Sequence, residues 1–145
     1  MSLIPDKCIE FNDNRKACVA EENGKKYNLN NPSGQFIKKI KIDKCLDQNS
    51  GEKRCDYLMD CKNLKRVIFI ELKGSDLNKA VVQIHTTILH LKSEFLNYNI
   101  DARIIGSRDV PSFKNRPAYR KLAKEVLPTG GKIIRGTNNI YTETI

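Results

Sequence analysis

No stretch of this sequence is apolar for long enough to cross a bilayer. The longest strongly apolar run in its 145 residues is Val67-Ile68-Phe69-Ile70, against the ~20 residues a spanning helix needs. The N-terminus also lacks the apolar core of a signal peptide, so the expectation is an intracellular, cytoplasmic chain with no membrane partner. Cysteine occurs five times but never as a CxxC pair, and the only histidines, His85 and His90, lie apart from the cysteines. Structural zinc wants ligand pairs on tight knuckles, and this spacing argues against it. Cys8, Cys18, Cys45, Cys55 and Cys61 are therefore expected as reduced, buried thiols. Repeats, low-complexity segments and linkers are missing too, which leaves residues 1–145 as one expected domain. With 39% hydrophobic and 30% charged residues, the composition excludes collagen-like and wholly disordered classes.

What the sequence does have is positive charge, +9 in all, and its distribution says more than its sum. Between Ala102 and Gly136 nine basic residues face only Asp109 and Glu125, a local balance of +7. Such a field suits a polyanion, because each neutralised phosphate releases counterions. A merely solvated basic face would give the same totals, so the chemistry of particular residues has to decide.

The pattern along the chain reads as α/β. Short alternations over residues 8–29, with turn signals at Asn12-Asp13-Asn14 and Glu22-Asn23-Gly24, predict an N-terminal β-hairpin. Residues 36–42 fit a short helix or a strand. Residues 40–46 and 55–59 read as two apolar stretches joined by a turn-rich loop over 47–52. The run from Val67 to Lys73, β-branched and nearly continuous, predicts a central strand buried on both faces. A helix capped by Ser75 or Asp76 should follow, because Leu77, Ala80, Val81, Ile84, Ile88, Leu91 and Phe95 keep the helical period. Then come a strand from Ile100 to Ile105, a helix from about Pro117 to Leu127, and edge strands at Ile133-Ile134 and Ile140-Tyr141.

Period-2 geometry puts Glu71 and Lys73 on one face of the central strand, at its C-terminal end. A carboxylate and an ammonium at the rim of a dry layer cost several kcal/mol unless they are paired or bind something. Metal-assisted phosphodiester hydrolysis is one use for them. It needs hard oxygen ligands for Mg²⁺ or Mn²⁺, a group that positions water, and positive charge for the developing phosphorane. Asp56, on a preceding strand, could meet Glu71 around one ion, with the Leu72 carbonyl as a further ligand. The tripeptide alone is weak: 18 lysines and 17 acids give about two acid-x-Lys matches by chance. Asp60-Cys61-Lys62 is taken as the accidental one. The context carries the signal: an acid on a hairpin strand, a buried strand ending in Glu-x-Lys, and then a capped amphipathic helix.

Asp56, Glu71-Leu72-Lys73 and the helix bearing Gln83 resemble the PD-(D/E)xK superfamily, which includes type II restriction enzymes, Holliday junction resolvases and lambda-type exonucleases. The resemblance spans roughly residues 40–105. It implies a restriction-endonuclease-like core, a mixed β-sheet flanked by helices, and a metal-dependent nuclease acting on nucleic acid, with DNA as the expected polymer. Asp56 and Glu71 would then be metal ligands with the Leu72 carbonyl, Lys73 would position the nucleophilic water, and Gln83 would match the polar residue that several families place on the next helix. Cys55 stands where the pattern has proline, and Thr87 where some families have tyrosine.

Among other acids, Glu10 could match a first-helix acid, although its surroundings read as a strand. Asp43 is a candidate auxiliary acid on the hairpin partner but reads first as a solvated hairpin residue, Asp76 as a helix cap, and His85 and His90 as surface residues. Arg108, Lys114, Arg116, Arg120, Lys121 and Lys124 are the expected nucleic-acid contacts. A chain of this length leaves little room for a separate recognition domain, so a homodimer or partner subunit would supply specificity. The competing expectations are a non-catalytic nucleic-acid-binding module on the same fold and an interaction protein whose basic face meets an acidic partner.

Overall fold

A computed structural model describes residues 2–46, 53–72, 76–106 and 113–145. It is an α/β structure of nine strands and two helices among these residues. Six strands form a mixed sheet: β1 (Ile9–Asp13), β4 (Ile37–Lys41), β5 (Tyr57–Cys61), β6 (Arg66–Leu72), β7 (Asn99–Ile105) and β8 (Ile133–Gly136), in that spatial order. The other three, β2 (Ala17–Glu22), β3 (Lys25–Asn30) and β9 (Ile140–Thr144), make a second sheet.

The two faces of β6 show why its sequence is apolar almost without a break. Val67 and Phe69 enter one core with the helices, while Ile68, Ile70 and Leu72 enter another against β2 and β3. Burying a side chain of this size stabilises by roughly 1.5–3 kcal/mol. The mixed sheet is flanked by two helices, as expected, and both lie on one face. Helices α1 (Leu77–Leu91) and α2 (Pro117–Val126) cover one face, and Cys18, Ala20, Tyr27 and Leu29 of the small sheet cover the other. Both helices lie on one face because each joins parallel strands stepping the same way, β6 to β7 and β7 to β8, and such crossovers share one hand.

The expected hairpin is realised as β2 and β3, with Glu22 opposite Lys25 at its tip. The segment open between helix and strand is strand β4. The 47–52 loop lies outside the described residues. Asp76 caps α1, its side chain accepting the Lys79 N–H at 2.9 Å. Pro117 opens α2, where its missing N–H leaves no bond unmade.

Two expectations need correction. Cys8 and Cys45 form a disulfide, with their Cα atoms 5.8 Å apart. The antiparallel pairing of Ile9 with Ile40 brings the residue before β1 to the turn after β4, a proximity that separation in sequence hides. Cys18, Cys55 and Cys61 remain buried free thiols. Arg103, counted toward the basic field, is internal at 1% exposure. It donates to Glu143 at 2.8 and 3.2 Å and to the Ala102 and Lys132 carbonyls. Arg66 and Asp101 pair at 2.6 Å beside it, and the Tyr27 hydroxyl donates to Glu143. This network ties the C-terminal strand to the large sheet and removes one charge from any outer surface.

Candidate active site

Strands β6, β7 and β8 are parallel, and β5 is antiparallel to β6. The carboxyl ends of β6, β7 and β8, the start of β5 and the end of β4 therefore share one edge of the sheet. Both helices begin at that edge, since each starts after a strand has ended there. Asp56 is fastened at this edge from three sides. Its N–H donates to the Ile70 carbonyl at 3.1 Å, its carbonyl accepts from Ile42 N–H at 2.9 Å, and its Oδ2 accepts from Leu72 N–H at 2.7 Å. Helix α1 is latched to the same segment. The Thr87 hydroxyl accepts the Cys55 N–H at 2.9 Å while donating to the Gln83 carbonyl, and the Gln83 amide approaches the Arg54 carbonyl at 3.4 Å. Cys55 and Thr87 are thus bonded to one another.

Asp56 and Glu71 are 8% and 2% exposed, and both line a cleft of about 550 Å³. Glu22, Asp43 and Asp76 bring further carboxylates to it, and Lys44, Lys53 and Lys79 bring cationic side chains. Burial pushes the Asp56 carboxyl up to about 6. The Leu72 N–H opposes that rise, and the neighbouring Glu22 and Asp43 carboxylates add to it. Burial likewise holds the Cys55 thiol well above its ordinary value, with the charges of Glu71 and Asp56 contributing, so this cysteine stays a neutral thiol and is no nucleophile.

The structure brings Asp56, Glu71, Leu72 and Gln83 together as expected from the sequence. Lys73 lies outside the described residues. Asp43, expected as a solvated hairpin residue, faces the cleft instead. Glu10 does not reach it and pairs with Lys39 at 2.8 Å. His85 and His90 are half-buried rather than exposed. Glu22 is the residue that sequence reading missed. At the hairpin tip it reads as a turn acid, and only the packing of the small sheet on the large one carries it to Asp56. Among the described residues its Oε2 is buried without a hydrogen-bond partner, and Lys41 Nζ lies 4.0 Å away.

Of the expected nucleic-acid contacts, Arg108 lies outside the described residues. Lys114, Arg116, Arg120, Lys121 and Lys124 are exposed on and before α2. The α2 axis divides them: Lys114 and Arg116 sit at the edge that holds the cleft, and Lys124 sits toward the opposite edge.

The donor chemistry of the cleft fits a hard divalent cation, because its ligands are carboxylate oxygens and a backbone carbonyl and soft ligands are lacking among them. Among the described residues, no three Asp, Glu, His or Cys side chains are already gathered as a metal-binding group. Comparison of the chain with family models, with curated proteins and with solved structures found no match.

Proposed function

We infer that the cleft is the active site of a metal-dependent nuclease of the PD-(D/E)xK kind, acting on DNA. The observation that carries this reading is the juxtaposition, at one sheet edge, of two buried carboxylates from adjacent strands with a peptide group between them: Asp56, Glu71 and Leu72. Carboxylate and carbonyl oxygens brought to one edge in this way are the hard donors that a divalent cation takes. Asp56, Glu71 and the Leu72 carbonyl would hold Mg²⁺ or Mn²⁺, with Glu22 as an additional carboxylate. When bound, the ion supplies Lewis-acid stabilisation of charge developing on a phosphoryl oxygen and lowers the pKa of water. The chain's own residues supply the rest. Lys73 positions water and offsets phosphorane charge, Gln83 braces α1 against the Asp56 segment, and the basic start of α2 draws the polyanion toward the same edge. No helix among the described residues is long and apolar enough to cross a membrane, and an intracellular location goes with the DNA substrate in this proposal.

The test is a nuclease assay with Mg²⁺ or Mn²⁺ on duplex, single-stranded and branched DNA. Asp56→Ala, Glu71→Ala and Lys73→Ala should each abolish cleavage, and only the two carboxylate changes should also weaken metal binding. Metal-independent cleavage, or full activity in Glu71→Ala, would remove this site from the mechanism. DNA binding without cleavage under any of these conditions would favour a non-catalytic binding module on the same fold.

A further inference from the structure

The Cys8–Cys45 disulfide joins the residue before β1 to the turn after β4. That turn is also a wall of the cleft, because Asp43 and Lys44, the two residues before Cys45, both line it. Ile42 and Leu46 anchor the ends of the turn in the helix-side core. Its middle is held by less. The Cys45 and Leu46 N–H groups donate to the Ile42 carbonyl at 3.1 and 2.9 Å, and Lys44 sits in the left-handed region at φ 63°. A residue with a β-carbon pays for that conformation and keeps it only where its surroundings enforce it. Cys8 is 1% exposed, so the bond to it ties the residue next to Lys44 to a fixed point.

The pair can open and close within the fold. β1 stays paired with β4 from Ile9 opposite Ile40 to Asp13 opposite Ile37, which keeps the two sulfurs neighbours after the bond is broken. Cys45 is half-buried and is the sulfur a reductant meets first. No other thiol among the described residues competes, since Cys18, Cys55 and Cys61 are buried and burial raises each of them away from the thiolate, the form that exchange requires. A chain that works on DNA inside a cell meets a reducing thiol pool, where the disulfides that do form are usually transient and redox-sensing.

We propose that Cys8–Cys45 is a redox switch on the candidate site, holding the Asp43-Lys44 wall in place when closed and releasing it, with weaker divalent-metal binding in the cleft, when opened by a dithiol. A thiolate of the dithiol attacks the Cys45 sulfur, and Cys8 leaves as a thiolate and takes up a proton. The second thiol of the reductant then displaces Cys45. Two electrons and two protons pass to the pair, which ends as two thiols while the reductant ends as a cyclic disulfide. The inference rests on the nuclease reading for the identity of the bound ion and for the reducing compartment.

Two measurements on the full chain test it, with oxidised protein compared with protein reduced by a dithiol and then desalted under argon. The first is amide hydrogen exchange in the absence of metal. Protection at Cys45 and Leu46 should fall on reduction while β6 and α1 keep theirs. The second is Mn²⁺ affinity. It should weaken about tenfold on reduction, as expected when a carboxylate is withdrawn from near a hard cation. Cys8→Ser/Cys45→Ser should show the weaker affinity with or without the dithiol, and Asp43→Asn should show it even when oxidised, with no further loss on reduction. Equal Mn²⁺ affinity in the two redox states, a loss on reduction that persists in full in Asp43→Asn, or protection lost throughout β6 and α1 would overturn the proposal. DNA cleavage assays on the same samples separate it from the reading it rests on. Redox-dependent Mn²⁺ binding without cleavage in either state would sink the nuclease reading and leave the switch standing, whereas equal cleavage in both states would do the reverse.

Discussion

Replacing Asp56 by asparagine should stabilise the metal-free protein at neutral pH, and the size of the gain follows from the burial of its carboxyl. Asp56 titrates at about 6 in the folded chain against 3.8 for the free side chain. That rise of about two units, at 1.36 kcal/mol each, amounts to roughly 3 kcal/mol. Because the folded value is the higher one, the native state holds the proton more tightly than the unfolded chain. Stability is therefore lost as pH rises from about 4 to about 6, and the full penalty persists above that range. Asparagine never ionises, its amide oxygen can still accept the Leu72 N–H, and its NH₂ can donate to the Glu22 carboxylate. The expected result in EDTA is a variant more stable than wild type by up to about 3 kcal/mol at pH 8, or roughly 6–12 °C in Tm for a chain of this size, with the difference vanishing near pH 4. Adding Mn²⁺ should reverse the order. At a hundredfold excess over its Kd it stabilises wild type by about 2.7 kcal/mol and leaves the variant nearly unmoved. Chemical denaturation at pH 4, 6 and 8, with and without Mn²⁺, measures both effects. A variant destabilised by several kcal/mol at pH 8 would refute the reasoning, because it would show that the fold needs the Asp56 charge as an ion-pair partner.

Two further outcomes follow from the fold. Reduction of the Cys8–Cys45 disulfide, which spans 37 residues of sequence, should lower stability by roughly 4 kcal/mol on chain-entropy grounds; denaturation with and without a dithiol reductant, alongside a Cys8→Ser/Cys45→Ser variant, checks this, and equal midpoints would show that the bond contributes nothing. Charge reversal at Arg116, Arg120 and Lys124 together should weaken DNA binding uniformly across sequences and flatten its salt dependence, since no acid among the described residues pairs with any of them; an unchanged salt slope would take α2 out of the binding surface.

What the sequence made legible was the part of the fold whose residues serve local and global order at once. Strand β6 stands out because both of its faces are dry. Helix α1 stands out because its apolar period and the Asp76 cap coincide with a real start, and β7 and α2 follow for similar reasons. The small sheet was only half visible. Its hairpin is written in Glu22-Asn23-Gly24, but nothing local says that β9 returns to pair in parallel with β3, Tyr27 beside Tyr141, more than a hundred residues away. Arg103 and the cysteines share this limitation. An arginine reads as surface charge until the strand that supplies Glu143 is in place, and Cys8 and Cys45 are distant until β1 pairs with β4.

The site divides along the same line, and the division has a chemical reason. Glu71 announces itself because a carboxylate in a dry strand demands explanation from the sequence alone. Asp56 is readable through its place before an apolar strand. Glu22 and Asp43 sit in turns, where acids are ordinary, and their meaning comes only from what the second sheet and the β4–β5 connection bring near. Their charges are part of what raises Asp56, so the residues hardest to see in the sequence help set the electrostatics of one that is readable there. If that coupling matters, Glu22→Gln should lower the Asp56 titration point, because it removes a like charge and offers an amide donor to the Asp56 carboxylate. Following Asp56 by carboxyl NMR in wild type and variant gives the answer directly. An unchanged midpoint would make Glu22 a bystander, and the carboxylates of the cleft that act on Asp56 would then exclude it.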